Sequence, residues 1–461
     1  MTASSFDTLS PRLDGLDVTA GPGIDAAYLR DWVVPMSGGA PLALVRPRST
    51  DEVSRVLRAC HDLDIPVVPQ GGRTGLAGGA TPVNGCVIVS LERMNGVLEI
   101  DPAAATLTAL AGTPLEAIQQ AARDAGWLFA LDLGARGSCQ IGGAVATNAG
   151  GNRVIRYGMT RDLVLGLEVV LADGTILSSL NKLIKNNAGL DVRQIFVGSE
   201  GTLGIITTSV LKLHPRPASQ CTALLALRDY DAVLSLLGRA RATLSNSLSA
   251  FEMMWPDFYR LMATPAAGFS LGLPADAGAY VLVETFGTDA AHDQERFEAF
   301  LATLVEEDVA LDALVAKTPA EAREFWRLRD SSGEFGRLGW PTLGYDIGIP
   351  TRDIGRFVDT CGRALGDRWP GTQTAFFGHI GDSNLHLHLN RAGGPSDHPD
   401  VHGLIYGLVR EFGGTTSAEH GIGLLKRPYL GYTRTPAEIE TMKAIKRALD
   451  PKGILNPGKI W

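Results

Sequence analysis

Little in this sequence points to secretion, membrane insertion or nucleic acid. Five cysteines in 461 residues (Cys60, Cys86, Cys139, Cys221, Cys361) lie far apart, and no two form a CxxC pair. Reduced thiols in an intracellular, cytoplasmic protein are the expectation. No apolar run approaches the roughly 18–20 residues that span a bilayer. Residues 1–17 lack a basic region followed by an apolar one, so no signal peptide is expected. Lys and Arg number 42 against 50 Asp and Glu, a net charge of −8 without any basic stretch. A nucleic-acid partner is therefore not expected.

Glycine, by contrast, is plentiful: 54 of 461 residues, where the usual share is about 7%. It clusters in loops, where a missing side chain lets backbone approach a ligand. With 45% hydrophobic and 20% charged residues, the chain is not disordered. At roughly 100–200 residues per domain its length suggests two or three domains.

Residues 42–45 read as a strand, followed by a helix with Ser49 or Thr50 as N-cap and Val53, Val56, Leu57 and Cys60 at helical spacing. Strands at 66–69 and 86–91 flank the densest glycine loop. A helix is predicted over 114–125, and a hairpin over 163–171 and 174–177, turning at Ala172-Asp173-Gly174. His214-Pro215-Arg216-Pro217 marks a boundary. Beyond about Cys221, strands such as 280–284 alternate with charged helices at 295–306 and 319–329, an α+β pattern. A last helix is predicted over 442–449.

The loop Pro69-Gln70-Gly71-Gly72-Arg73-Thr74-Gly75-Leu76-Ala77-Gly78-Gly79 follows a strand. Its glycines permit a curl of inward N–H groups, an anion nest suited to a pyrophosphate. A plain tight turn is the alternative. The spacing is not GxGxxG, which disfavours a nicotinamide site. A second stretch runs from Asp132-Leu133-Gly134 through Ser138 and Ile141-Gly142-Gly143 to Thr147-Asn148-Ala149-Gly150-Gly151. Its small residues would let a flat heterocycle lie against backbone, although alone it is ambiguous. Gly453 to Lys459 fits GxxxxGK, but Ile460 stands where a magnesium-binding Ser or Thr is needed and no helix can follow, so it is no P-loop.

The most chemical stretch is Gly378-His379-Ile380-Gly381-Asp382-Ser383-Asn384-Leu385-His386-Leu387-His388-Leu389. Alternation puts His386 and His388 on one strand face and the leucines on the other. The turn at 381–384 could fold His379 back beside His386. Two histidines alone are also compatible with structural histidines. Ser417-Ala418-Glu419-His420 adds a carboxylate, and two imidazoles with one carboxylate leave metal positions open for substrate. His420 is then free for proton transfer. Alone, Glu419-His420 also fits a surface charged pair.

A PxxxxEV helix, PQGGRTGLAGG, IGGAVATNAGG and GSEGTLGIIT (Gly198 to Thr207) run in order over about 160 residues. This order resembles the flavin-binding domain of the vanillyl-alcohol-oxidase/p-cresol-methylhydroxylase superfamily. GHIGDSNLHLHL, SAEHGIGLLKRPYL and the terminal NPGKIW extend the resemblance to the FAD-linked D-2-hydroxy-acid dehydrogenases, which include D-lactate, glycolate and D-2-hydroxyglutarate dehydrogenases. The resemblance implies an α+β fold: a two-part FAD-binding domain (1–218), an α+β cap or substrate domain (219–418), and a C-terminal segment (419–461) returning to the FAD domain. It implies FAD on both glycine stretches, with Glu200, Gly201, Gly204, Ile205 and Asn456 beside it. No histidine lies between Pro69 and Gly79, so the flavin is expected to be non-covalent. His379, His386 and Glu419 are then the ligands of a divalent metal, zinc first, with manganese or iron compatible. His420 is the base and Arg329 clamps the substrate carboxylate.

Three positions depart from the D-2-hydroxyglutarate pattern. Gly333 replaces a threonine, Gly344 a lysine, and His388 an asparagine. A buried distal carboxylate without a cation is costly, so a D-lactate-like or larger, more neutral side chain is expected. Arg337, Arg327 or His388 are the alternatives that could supply the missing contact. His388 itself reads as a substrate contact, a structural residue or an additional metal ligand. Electron-transfer flavoprotein, quinone, cytochrome or oxygen could re-oxidise the flavin, and a homodimer is compatible. The competing classes are a non-redox flavin transferase of the alkylglycerone-phosphate-synthase kind and a non-catalytic flavin-binding subunit of a larger complex.

Overall fold

The computed structural model describes residues 3–32, 39–263, 272–335, 343–391 and 398–461. The chain forms two compact units. Residues 1–150, 158–216 and 419–461 make the first; residues 151–157 and 217–418 make the second. The chain thus passes between them four times, and residues 151–157 fall outside the division read from the sequence.

In the first unit, β1 (Val18–Ala20), β2 (Ala43–Val45), β3 (Val67–Gln70) and β4 (Val87–Ser90) form a sheet in the order β1-β2-β4-β3. Strands β2 and β3 run parallel to β4, which demands crossover connections. Helix Thr50–Asp62 supplies one. Its N-cap is Ser49, whose Oγ accepts from Glu52 N at 3.2 Å, and Val53, Val56, Leu57 and Cys60 are fully buried. β3 ends at Gln70, so the first glycine loop leaves the end of a parallel strand.

The second sheet of this unit is antiparallel, in the order β5-β6-β10-β8-β9, from β5 (Val97–Asp101), β6 (Thr106–Leu110), β8 (Val164–Val170), β9 (Ile176–Ser179) and β10 (Ile205–Lys212). The short β7 (Trp127–Leu128) pairs with β11 (His214–Pro215). The second glycine stretch, whose small residues the sequence offers as a backbone surface for a flat heterocycle, contains a helix, Ile141–Ala146. Its Gly142 serves packing, because a Cβ there would stand 2.6 Å from Ala111 Cβ. The terminal helix also begins earlier than read, at Pro436–Leu449, where Thr435 and Glu438 form a capping box.

Residues 419–461 are stitched into this unit. Val67 N donates to Ile454 O at 2.8 Å and Asn456 N to Val67 O at 2.7 Å. Lys446 Nζ donates to Thr202 O at 2.7 Å and Leu455 O at 2.8 Å. Lys459, 1% exposed, donates to Thr81 O at 2.8 Å.

The second unit is built on one seven-stranded antiparallel sheet, β15-β12-β14-β13-β17-β18-β16. Its strands are β12 (Ser219–Leu227), β13 (Leu248–Met254), β14 (Ala279–Gly287), β15 (Asp312–Val315), β16 (Leu343–Gly348), β17 (Gln373–His379) and β18 (Asn384–Asn390). Met254, Phe258, Tyr280, Phe335 and Phe377 belong to its apolar core. Glu284 on β14 is wholly buried, yet satisfied: it pairs with Arg153 from the 151–157 segment and accepts from Gln220 Nε2, Thr222 Oγ1 and Trp326 Nε1 at 2.7, 3.0 and 2.8 Å. All five cysteines are free and buried; burial pushes the Cys60 and Cys361 thiols up to about 12 and those of Cys86 and Cys139 to about 11. Among the described residues no helix is long and apolar enough to cross a membrane.

Candidate active site

The histidine motif forms the hairpin of β17 and β18. Ser383, at φ +73°, takes the left-handed position in the turn between them. That turn returns His386 toward His379: the ring centroids are 5.4 Å apart and a nitrogen of each ring lies within 4.8 Å of the other. Leu385, Leu387 and Leu389 are fully buried on the opposite face, as alternation predicts. Asp346 of β16 stands directly across from His386 with a carboxylate oxygen within 4.8 Å of its ring nitrogen. Asn384 Nδ2 donates to Asp346 Oδ1 at 2.9 Å and Ser417 Oγ to its Oδ2 at 3.2 Å.

Behind His379 lies a carboxylate that the sequence reading did not single out. Glu252 on β13 is paired in register with His379 and is 1% exposed. Its Oε1 accepts from His379 Nδ1 at 2.8 Å. Its Oε2 accepts from Arg329 Nε at 2.8 Å and Nη2 at 2.7 Å. Burial works to raise the Glu252 pKa, but Arg329 and His379 outweigh it and hold the carboxyl below its ordinary range. Arg329 ends helix Pro319–Arg329, itself begun by the Thr318–Glu321 capping box. Its Nη2 reaches 3.1 Å from His379 Nε2 and its guanidinium lies 5.4 Å from the Phe377 ring. A signal for Glu252 was present: a lone acid in the apolar run Phe251-Glu252-Met253-Met254 needs a buried partner.

His388 packs where Gly344 has no side chain. A Cβ on Gly344 would stand 3.2 Å from His388 Cε1. Phe335 and Phe377 flank the same imidazole, with centroids 4.8 and 5.7 Å away. Of the other candidate contacts, Arg327 pairs with Glu324 on its own helix, and Arg337 lies outside the described residues. Among the described residues, nothing lies within 4 Å of where a Cβ on Gly333 would stand.

In the first unit, the loop after β3 meets the second glycine stretch. A Cβ on Gly72 would collide with the Ser138 carbonyl, so only glycine allows that approach. Among the described residues, Gly72 to Ala77 donate no backbone hydrogen bond to protein. Gln70 Oε1, Gln140 Oε1, Ser199 Oγ and Asn456 Oδ1 are buried polar atoms without a protein partner. A polar ligand is the physical remedy for such orphans, and both facts fit a dinucleotide cofactor. Several residues read as flavin contacts also spend their side chains on the protein. Asn148 Oδ1 accepts from Arg161 N at 2.9 Å, and Thr147 Oγ1 donates to Gly143 O at 3.0 Å. Glu200 accepts from Ile422 N at 2.7 Å and Gly423 N at 2.8 Å, while Asn456 Nδ2 donates to Glu200 O at 2.7 Å. Burial raises the Glu200 carboxyl above its ordinary range.

Glu419 and His420 belong to the first unit, whereas His379, His386, Arg329 and His388 belong to the second. Glu419 lies against Gly150, where any Cβ would run into its carboxylate. The carboxylate read as a metal ligand is thus packed on the end of the second glycine stretch.

Residues 41–179 match a family described as an FAD binding domain, and residues 216–460 match the FAD linked oxidases, C-terminal domain. A mitochondrial D-2-hydroxyglutarate dehydrogenase of Bos taurus is 40% identical over 436 residues, covering 93% of this chain and 78% of the relative. A protein of Schizosaccharomyces pombe named as a putative mitochondrial D-lactate dehydrogenase is 36% identical, covering 97% of this chain and 86% of its own. The fold is shared with substrate-bound p-cresol methylhydroxylase, at TM-score 0.78 and 18% identity, over 100% of this chain and 97% of that one. The chain belongs to the FAD-linked D-2-hydroxy-acid dehydrogenases and shares its fold with p-cresol methylhydroxylase.

Proposed function

We propose that this chain oxidises a D-2-hydroxy acid to the 2-oxo acid by hydride transfer to non-covalent FAD, with a divalent cation as second cofactor. The observation that carries the reading is the His379–His386 pair, backed by Glu252 and set beside Arg329. His379 and His386, with Glu419, would hold the cation; zinc suits this donor set, and manganese and iron accept it. The unengaged N–H groups of Gly72 to Ala77 would hold the flavin pyrophosphate. Bound there, FAD would supply the acceptor for a hydride from the substrate α-carbon, and the cation would supply a Lewis acid for the substrate oxygen.

Arg329 binds the substrate carboxylate by charge-assisted N–H donation, which orients the α-carbon. Neutral His420 takes the hydroxyl proton as general base. His388 lines the pocket for the substrate side chain. Gly344, Phe335 and Phe377 surround it, and Arg329 is already turned to Glu252. Gly344, standing where the D-2-hydroxyglutarate pattern has a lysine, offers no cation to pair a distal carboxylate. A D-lactate-like or larger neutral side chain is therefore favoured over D-2-hydroxyglutarate.

The test is anaerobic mixing with D-lactate, D-mandelate and D-2-hydroxyglutarate, followed by flavin absorbance with and without a chelator. Bleaching that the chelator abolishes is expected. The variant His420→Ala should keep flavin and metal while reduction slows by about 10²–10⁴-fold. Undiminished reduction removes His420 from the role. A higher kcat/KM for D-2-hydroxyglutarate than for the other two acids overturns the substrate preference.

A further inference from the structure

Glu252 is an expensive residue to keep where it stands. It is 1% exposed at the centre of β13, and an apolar side chain would fill that position without desolvating a charge. Both of its oxygens are spent on residues from other elements. Oε1 faces His379, its register partner on β17, and Oε2 faces Arg329 at the end of helix Pro319–Arg329. A carboxylate that takes two N–H groups from Arg329 on Oε2 accepts on Oε1 as well, so His379 donates through Nδ1–H and its Nε2 carries the lone pair. The same negative charge offsets the guanidinium, whose Nη2 is 3.1 Å from Nε2. Without it, the guanidinium charge would be offset by less, Asp330 at 3.3 Å from Nη1 being one remaining partner, and a cation at Nε2 would be opposed.

We propose that Glu252 is a positioning residue for both halves of the site: Oε1 fixes the metal-ligating form and orientation of His379, and Oε2 fixes the guanidinium of Arg329 for the substrate carboxylate. One buried acid thereby sets the spacing between cation and anion clamp. The inference rests on the roles given to His379 and Arg329 in the proposed function.

The decisive variant is Glu252→Gln, whose amide has one accepting oxygen and cannot serve both partners. Zinc affinity, read by titration against a competing chelator at constant flavin content, should fall about 10–100-fold. At saturating zinc, KM for D-lactate should rise at least tenfold. Wild-type values for either quantity overturn the shared role. If Glu252→Gln fails to fold, the pair Glu252→Leu/Arg329→Met removes both members of the buried ion pair together. Zinc binding should still be at least tenfold weaker there, because His379 Nδ1 has lost its acceptor; wild-type zinc affinity overturns the proposal. His379→Ala separates the two levels: zinc retained in that variant defeats the metal reading itself, whatever Glu252 does.

Discussion

At the scale of single residues, Lys459 and Gly344 make opposite demands on their surroundings. Lys459 is a buried cation, and burial depresses its pKa to about 8 from the ordinary 10.5. Below about pH 8 the folded and unfolded chains both carry the proton, and folding bears the full cost of the buried charge. Between about 8 and 10.5 only the unfolded chain carries it, so this residue's contribution to stability rises with pH. Relative to Lys459→Met, the unfolding free energy of the parent should climb by about 3 kcal/mol between pH 7.5 and 10.5. A pH-independent difference, measured by denaturant titration, would show that Lys459 titrates normally. Gly344 is needed for what it lacks. Gly344→Ala would press on the His388 ring, 3.2 Å from the added carbon. We expect kcat/KM to fall about tenfold, or 1.4 kcal/mol, and to recover when His388→Asn removes the ring. Failure of that rescue would separate the two positions.

Among the elements, the helix Ile141–Ala146 shows how glycine can mislead. The sequence showed two adjacent glycines between small residues, a composition shared by loops and by helices that pack close to a neighbouring backbone. What decides is Ala111, which sits in contact with Gly142 but lies 31 residues away in sequence. Gly142→Ala should overpack this contact, cost about 1–3 kcal/mol and lower flavin occupancy of the purified protein; unchanged occupancy and stability would contradict the packing account. Elements whose causes are local were legible. The Ser49 cap, the alternation of Leu385 to Leu389 and the turn at 172–174 each reside in a few consecutive residues. Glu252 and Asp346 were missed because their partners come from other strands of the sheet, and strand order is not written in any short window.

For the whole molecule, the seven residues 151–157 matter more than their number suggests. Arg153 is the cation that neutralises Glu284 in the centre of the large sheet. Arg153→Met should destabilise the protein by about 3–5 kcal/mol, since it strands a buried carboxylate, whereas Arg153→Met/Glu284→Gln should regain most of that loss. Equal stability of the single and double variants, compared by chemical denaturation, would refute the pairing as the cause. No sequence signal announced this segment's allegiance, because seven residues carry too short a pattern to show a period.

The stitching of residues 454–459 onto β3 has a consequence for how the protein is made. A chain synthesised from its amino end has strand β3 and the first glycine loop exposed long before Asn456 exists. The interval from residue 216 to residue 456 takes roughly 10–50 s at ordinary translation rates. Through that interval the second unit can mature while the first waits, its parallel sheet edge still unclosed. The β3 edge therefore stays without these backbone partners until residues 454–456 have been made, and flavin binding that needs the closed edge cannot precede them.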